Sequence, residues 1–307
     1  MSMFVADAHC DTLYAIAIDG KTPEQCMVTV PHMQAGDVFL QTFAMFTGSK
    51  GPQGTPYEDG RRMLAASEHL PLEILRGKLP ELPPTVPTGI ISCEGGEMLE
   101  GSLDRLAEFD DVTRIRMIAL TWNFENEIGY PSKSGSDLPL KPFGHELLKE
   151  MDRRGILADV SHLNDAGFWD VCEHTKLPPI ASHSDCRWLC GHSRNLTRDM
   201  ARAIIDRKGF IGVNFYSCFL RDGGGATLED VLRHIDALYE LGGEDVVGFG
   251  SDFDGIETWP EGLSNPADFP NLLDYLARHG YSQTQLEKLA GLNLWRVLKQ
   301  ADDARCV

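Results

Sequence analysis

Eight short apolar runs recur along this chain, and stretches with helical periodicity separate them. The runs cover residues 4–9, 38–46, 89–93, 117–122, 156–162, 179–183, 210–216 and 246–252. Amphipathic stretches at 57–76, 143–154, 164–174, 198–208 and 227–241 lie between them. Strands that are apolar on both faces and separated by helices belong to a parallel sheet covered on both sides. Eight such units in one chain predict an α/β fold, a (β/α)8 TIM barrel. A barrel of this kind takes ~250 residues. The 307 residues are therefore expected to form a single (β/α)8 domain over 1–307, with extra C-terminal helices near 266–279 and 282–300. Asn164 and Asp165 are placed to cap one helix, and Thr227-Leu228-Glu229-Asp230 reads as a capping box with Asp in the usual Glu position. Segments 48–57 and 127–142, rich in Gly, Pro and Ser, read as loops above the barrel.

The apolar runs end on an unusual set of residues. Barrel enzymes carry their chemistry at the C-terminal ends of the strands. His9 and Asp11 close the first run, and alternation along a strand puts residues i and i+2 on one face. Glu94 follows the third run, His162 the fifth, His183 the sixth and Asp252 the eighth. A single buried histidine is usually a hydrogen-bonded core residue. Six ligand-type residues at strand ends are a different matter. Three imidazoles and three carboxylates suit Zn²⁺, with Mn²⁺, Co²⁺ or Fe²⁺ compatible. Six donors exceed one tetrahedral ion, so two Zn²⁺ sharing a carboxylate are expected, with Glu94 as bridge. His9 and Asp11 would hold one ion, His162 and His183 the other. Asp252 would either ligate weakly or take a proton from the attacking water.

Charge and cysteines narrow the setting. Asp and Glu total 46 against 28 Lys and Arg, a net charge of −18. That excludes the cationic footprint of nucleic-acid binding and argues against an anionic membrane surface. The eight cysteines contain no C-x-x-C pair, and no basic leader or run of about 18 apolar residues occurs. A cytoplasmic protein with reduced thiols is expected.

With these residues assembled, the chain resembles the membrane dipeptidase (renal dipeptidase) family, zinc metallopeptidases of the amidohydrolase-type barrel superfamily. The carrying segments are Asp7-Ala8-His9-Cys10-Asp11, Cys93-Glu94-Gly95-Gly96, Asp159-Val160-Ser161-His162, Ser182-His183-Ser184, Ser193-Arg194-Asn195, Val213-Asn214-Phe215-Tyr216 and the stretch 248–255. The resemblance implies a binuclear zinc site on His9, Asp11, Glu94, His162 and His183, with Asp252 beside the water as proton carrier. It implies that Arg194 binds the C-terminal carboxylate of a dipeptide, for which a guanidinium fork is suited. C-terminal D-residues are tolerated in the family, and homodimers are common there. Where many members carry a histidine after strand four, this chain has Trp122, which can donate a hydrogen bond but carries no charge. Trp122, Asn123 and Tyr216 are the remaining candidate substrate contacts. The alternatives are another metal-dependent amidohydrolase, acting on a cyclic amide, lactone or phosphoester, and a catalytically silent barrel that binds metal or peptide. A His-x-Asp start and Glu94 count against the first, since such enzymes usually begin His-x-His and bridge through a modified lysine. The complete ligand set counts against the second, for which Trp122 is the only support.

Overall fold

The computed structural model describes residues 3–47 and 54–307. The first part of the loop expected at 48–57 therefore lies outside the described residues. Eight parallel strands form the barrel: β1 Val5–Cys10, β2 Val38–Phe46, β3 Thr88–Glu94, β4 Ile115–Ala119, β5 Leu157–Asp159, β6 Ile180–Ala181, β7 Phe210–Val213 and β8 Val247–Phe249. Each pairs with the next in sequence, and Asp7 of β1 stands opposite both Gln41 of β2 and Phe249 of β8, which closes the ring. The expected (β/α)8 barrel is thus the observed one. Every residue of β1, β3 and β4 is buried, as strands sandwiched between a barrel interior and a helical coat require.

Apolar side chains from seven strands, including Ala6, Leu40, Met117, Ile180 and Phe210, cluster with Leu294, Val297 and Leu298 of the last helix, Asn293–Asp303. That helix closes the N-terminal end of the barrel. Asp302 holds it there through Arg114 and Arg116, each 2.6 Å from its Oδ1. The opposite end stays open for chemistry. The expected caps are present: Asn164 accepts from the Gly167 amide at 2.9 Å, and Asp230 accepts from the Thr227 amide at 3.0 Å.

Two differences from the sequence reading have plain causes. The helix expected over 57–76 spans only Pro56–Ser67. Pro71 disfavours helical backbone in the residue before it, and the chain instead forms a two-residue strand, Glu73–Ile74, beside the start of β3. The runs 156–162 and 246–252 were expected to be strand to their ends, yet β5 stops at Asp159 and β8 at Phe249. His162 and Asp252 have φ of 68° and 65°, a left-handed backbone that no strand continues through.

Candidate metal centre and active site

All six candidate ligands meet at the open end of the barrel. Asp11 immediately follows β1 and Glu94 is the last residue of β3. His162, His183 and Asp252 sit in the turns after β5, β6 and β8. Glu94 is the centre of the arrangement. Its Oε1 lies 2.9 Å from His162 Nε2 and 3.3 Å from His183 Nε2, while its Oε2 lies 3.4 Å from His9 Nε2. His9 Nε2 in turn faces Asp11 Oδ2 at 3.6 Å and Asp252 Oδ1 at 3.7 Å. One carboxylate thus presents one oxygen to each of two donor groups.

Several observations show that these residues fit a cation. His9 Nε2 and Asp11 Oδ1 are buried and have no hydrogen-bond partner. A buried polar atom without a partner costs about 1–3 kcal/mol, so two of them on residues of one cluster call for a ligand. The electrostatics agree. Burial pushes Asp11 up, and the charge of Glu94 pushes it further. Burial also raises Asp252. Burial disfavours the His9 imidazolium, but the carboxylates of Glu94 and Asp11 outweigh it and hold His9 well above its ordinary value. Burial opposes the charge on Glu94 as well, yet His9 and the other two imidazoles keep it well below the usual carboxylate range. Burial and the Arg194 charge bring His162 down to about 4, and burial and His9 bring His183 well down. Neutral His162 and His183 and a charged Glu94 are the forms a divalent cation needs, and a cation bound here would displace the protons that burial and crowding leave on His9 and Asp11.

Neighbouring side chains fix the tautomers. Ser182 Oγ donates to Asp159 Oδ2, which leaves its lone pairs to accept from His183 Nδ1 at 2.7 Å. His162 Nδ1 donates to Asn123 Oδ1 at 3.2 Å. Both rings therefore carry their proton on Nδ1 and turn an unprotonated Nε2 toward Glu94. Loss of such an outer partner typically costs about 10–100-fold in metal affinity. Ser182→Ala is expected to weaken metal binding by that order, measured by competition with a chromogenic chelator. An unchanged affinity would remove Ser182 from the account.

The turns are held in strained conformations for this purpose. Left-handed backbone at a non-glycine residue costs on the order of 1–3 kcal/mol. At Asp252 it is offset by the hydrogen bond its backbone N–H donates to His9 O at 3.2 Å, and Asp11 N–H donates in return to Phe253 O at 3.0 Å. A Cβ on Gly255 would stand 1.9 Å from Asp11 Oδ2, so only glycine lets this turn approach the site. Asn214, which the sequence reading did not single out, donates from Nδ2 to Asp252 Oδ2 at 2.9 Å. Its own Oδ1 accepts from the Tyr216 amide at 2.6 Å.

A cavity of about 270 Å³ opens over the centre, lined by Asp11, Glu94, His162 and Asp252 and walled by Tyr14, Phe46, Trp122 and Tyr216. Trp122 stacks edge-on against Phe46, with centroids 4.7 Å apart. Asn123 also lines the cavity, although its carbonyl oxygen is engaged by His162. Arg194 lies behind Phe219, a lining residue, with its guanidinium carbon 5.5 Å from that ring. It donates from Nη1 to Ser184 Oγ and from Nη2 to His183 O, both at 3.2 Å, and its buried Nε has no partner.

Comparison with known proteins gives this geometry a family. The model of the membrane dipeptidase family (peptidase family M19) matches residues 88–306. The chain belongs to that family. Membership makes it a metallopeptidase of dipeptidase type, a hydrolase of peptide bonds. An uncharacterised dipeptidase of Schizosaccharomyces pombe is 34% identical over 219 residues, covering 69% of this chain and 52% of that protein. The solved dipeptidase AC, a family M19 metallopeptidase, superposes with a TM-score of 0.88 at 26% identity, over 98% of this chain and 99% of its own. A Rhodobacter sphaeroides metallopeptidase, solved with a phosphinate mimic of the dipeptide L-Ala-D-Ala, gives a TM-score of 0.86 at 25% identity, over 98% and 100%. Among the described residues no helix is long and apolar enough to cross a membrane.

Proposed function

We propose that this chain is a binuclear zinc dipeptidase, acting on short peptides that include those with a C-terminal D-residue. The observation that carries the reading is Glu94, whose two oxygens face two separate donor groups. His9, Asp11 and one oxygen of Glu94 would hold the first ion. The other oxygen, with His162 and His183, would hold the second. Bound there, the pair would supply Lewis acidity, lowering the pKa of water and drawing electron density from the scissile carbonyl.

The rest of the chemistry belongs to the protein. Asp252 Oδ2 is anchored by Asn214, which leaves Oδ1 facing the cluster to take a proton and return it to the leaving amine. Arg194 is the proposed partner of the substrate's C-terminal carboxylate, supported by its unpartnered Nε and its place beside the cavity wall. Arg194 bonds the carbonyl of His183, a candidate ligand, so a carboxylate held there would restrict substrates to very short peptides. Trp122, Phe46 and Tyr216 offer apolar walls that would pack on substrate side chains and exclude water. The L-Ala-D-Ala mimic in the Rhodobacter relative supports tolerance of a D-residue. Eight free thiols suit a reducing compartment, so cytoplasmic activity of a single catalytic domain is part of the proposal.

The test is amino-acid release from L-Ala-L-Ala and L-Ala-D-Ala by zinc-loaded protein, before and after chelation. Release that chelation abolishes and zinc restores is the expected result. Turnover indifferent to chelation, or none on either peptide with both ions bound, would overturn the reading.

A further inference from the structure

Away from the barrel mouth, three more ligand-type side chains converge on the outer face. Asp170 and His174 lie one turn apart on helix Asp165–His174, so they share a face. His145 comes from helix Pro142–Arg154, which packs beside it. One nitrogen or oxygen from each of the three falls within 4.8 Å of the others. Asp170 sits between the rings: Oδ2 is 3.2 Å from His145 Nε2, and Oδ1 is 3.0 Å from His174 Nδ1. The ring centroids are 4.6 Å apart. A hollow of about 300 Å³ opens over them, lined by His145, His174 and Lys149.

We propose that His145, Asp170 and His174 form a second, solvent-facing site for a divalent cation of the zinc class, separate from the catalytic centre. Two imidazoles and one carboxylate are the donor set that Zn²⁺ and its neighbours in the first transition row prefer. The carboxylate is already oriented, because the Leu140 amide donates to Asp170 Oδ2 at 2.9 Å. His174 Nδ1 also donates to the Asp170 carbonyl at 2.9 Å, a bond that an ion at this nitrogen would replace by displacing the proton. Three protein donors leave the remaining positions to water, as the open hollow allows. Lys149, one turn from His145, is the cation that faces the hollow, and it opposes a bound ion. The site is therefore weaker than the barrel centre, where the donors are buried. Two histidine–carboxylate contacts would use the same residues, but each ring then keeps a proton on the nitrogen that faces Asp170, and such partly exposed pairs are worth about 0–1 kcal/mol. A metal requires the opposite protonation state, which makes the two roles separable.

Equilibrium dialysis of the loaded enzyme against Zn²⁺ at neutral pH, with metal counted by mass spectrometry, tests this. Wild type is expected to bind one ion per chain more than His145→Asn/His174→Asn, with dipeptide turnover the same in both. Lys149→Ala is expected to fill the same site at lower free zinc. Equal zinc content in wild type and the double variant across the titration would overturn the proposal, as would no effect of Lys149→Ala on the extra ion. The count is a difference between two proteins with the same barrel centre. It stands or falls independently of what the barrel centre hydrolyses. If the double variant folds poorly by circular dichroism, His174→Asn alone, at the more exposed ring, serves the same comparison.

Discussion

Glu94→Gln is expected to abolish turnover and to strip zinc from both halves of the centre at once. The substitution keeps size and shape but replaces one oxygen by an NH₂ group, which is a donor and cannot ligate. It also removes the negative charge shared between His9 on one side and His162 and His183 on the other. The loss should exceed the roughly 10–100-fold in metal affinity or activity that removing an outer partner costs, because a bridging ligand serves two ions. Stability separates this from a folding defect. Without metal, Glu94 repels Asp11 but attracts His9, so neutralising it removes opposed contributions from the apo protein. The metal-free melting temperature should change little, while the rise that zinc confers on wild type should vanish. Retained zinc with lost activity would mean that Glu94 is not the bridge. Retained activity would end the binuclear reading.

The barrel and the identity of its candidate ligands were legible because both depend on local pattern. Alternating apolar runs specify strands, and a ligand-type residue at the end of a run falls where barrels hold their chemistry. What escaped sequence reasoning depends on which βα unit stands beside which. Ser182 precedes His183 in sequence, yet its role requires Asp159, delivered by the neighbouring strand. Asn214 and Asp252 meet because β7 and β8 pair in register at Val213 and Phe249. The left-handed residues His162 and Asp252 read as strand ends because each closes an apolar run, and φ leaves no mark on such a pattern. Pro71 marks the early end of the helix over 57–76, although the helical periodicity continues past it. The outer cluster shows the same divide. Asp170 and His174 are visible as an i,i+4 pair, whereas His145 joins them only through helix packing.

Asp252→Asn is expected to lower kcat by about 10²–10⁴-fold, the usual worth of a positioned proton carrier, while leaving zinc in place. The change is nearly isosteric, and Asn tolerates the left-handed backbone at this position as readily as Asp. The carbonyl oxygen of the new side chain can still accept from Asn214 Nδ2, so its placement should survive. What it cannot do is accept a proton from water and return it to the amine. KM should move little if, as proposed, Arg194 and the cavity walls hold the substrate's carboxylate and side chains. Metal content decides between the two roles open to Asp252, whose carboxylate lies close enough to His9 and Asp11 to share a cation with them. Two ions with a collapsed kcat make Asp252 the proton carrier. One lost ion makes it a ligand, with the fall in rate following occupancy and recovering at high zinc. Wild-type kcat with both ions bound would exclude either role and move the search for the proton acceptor to another cavity residue.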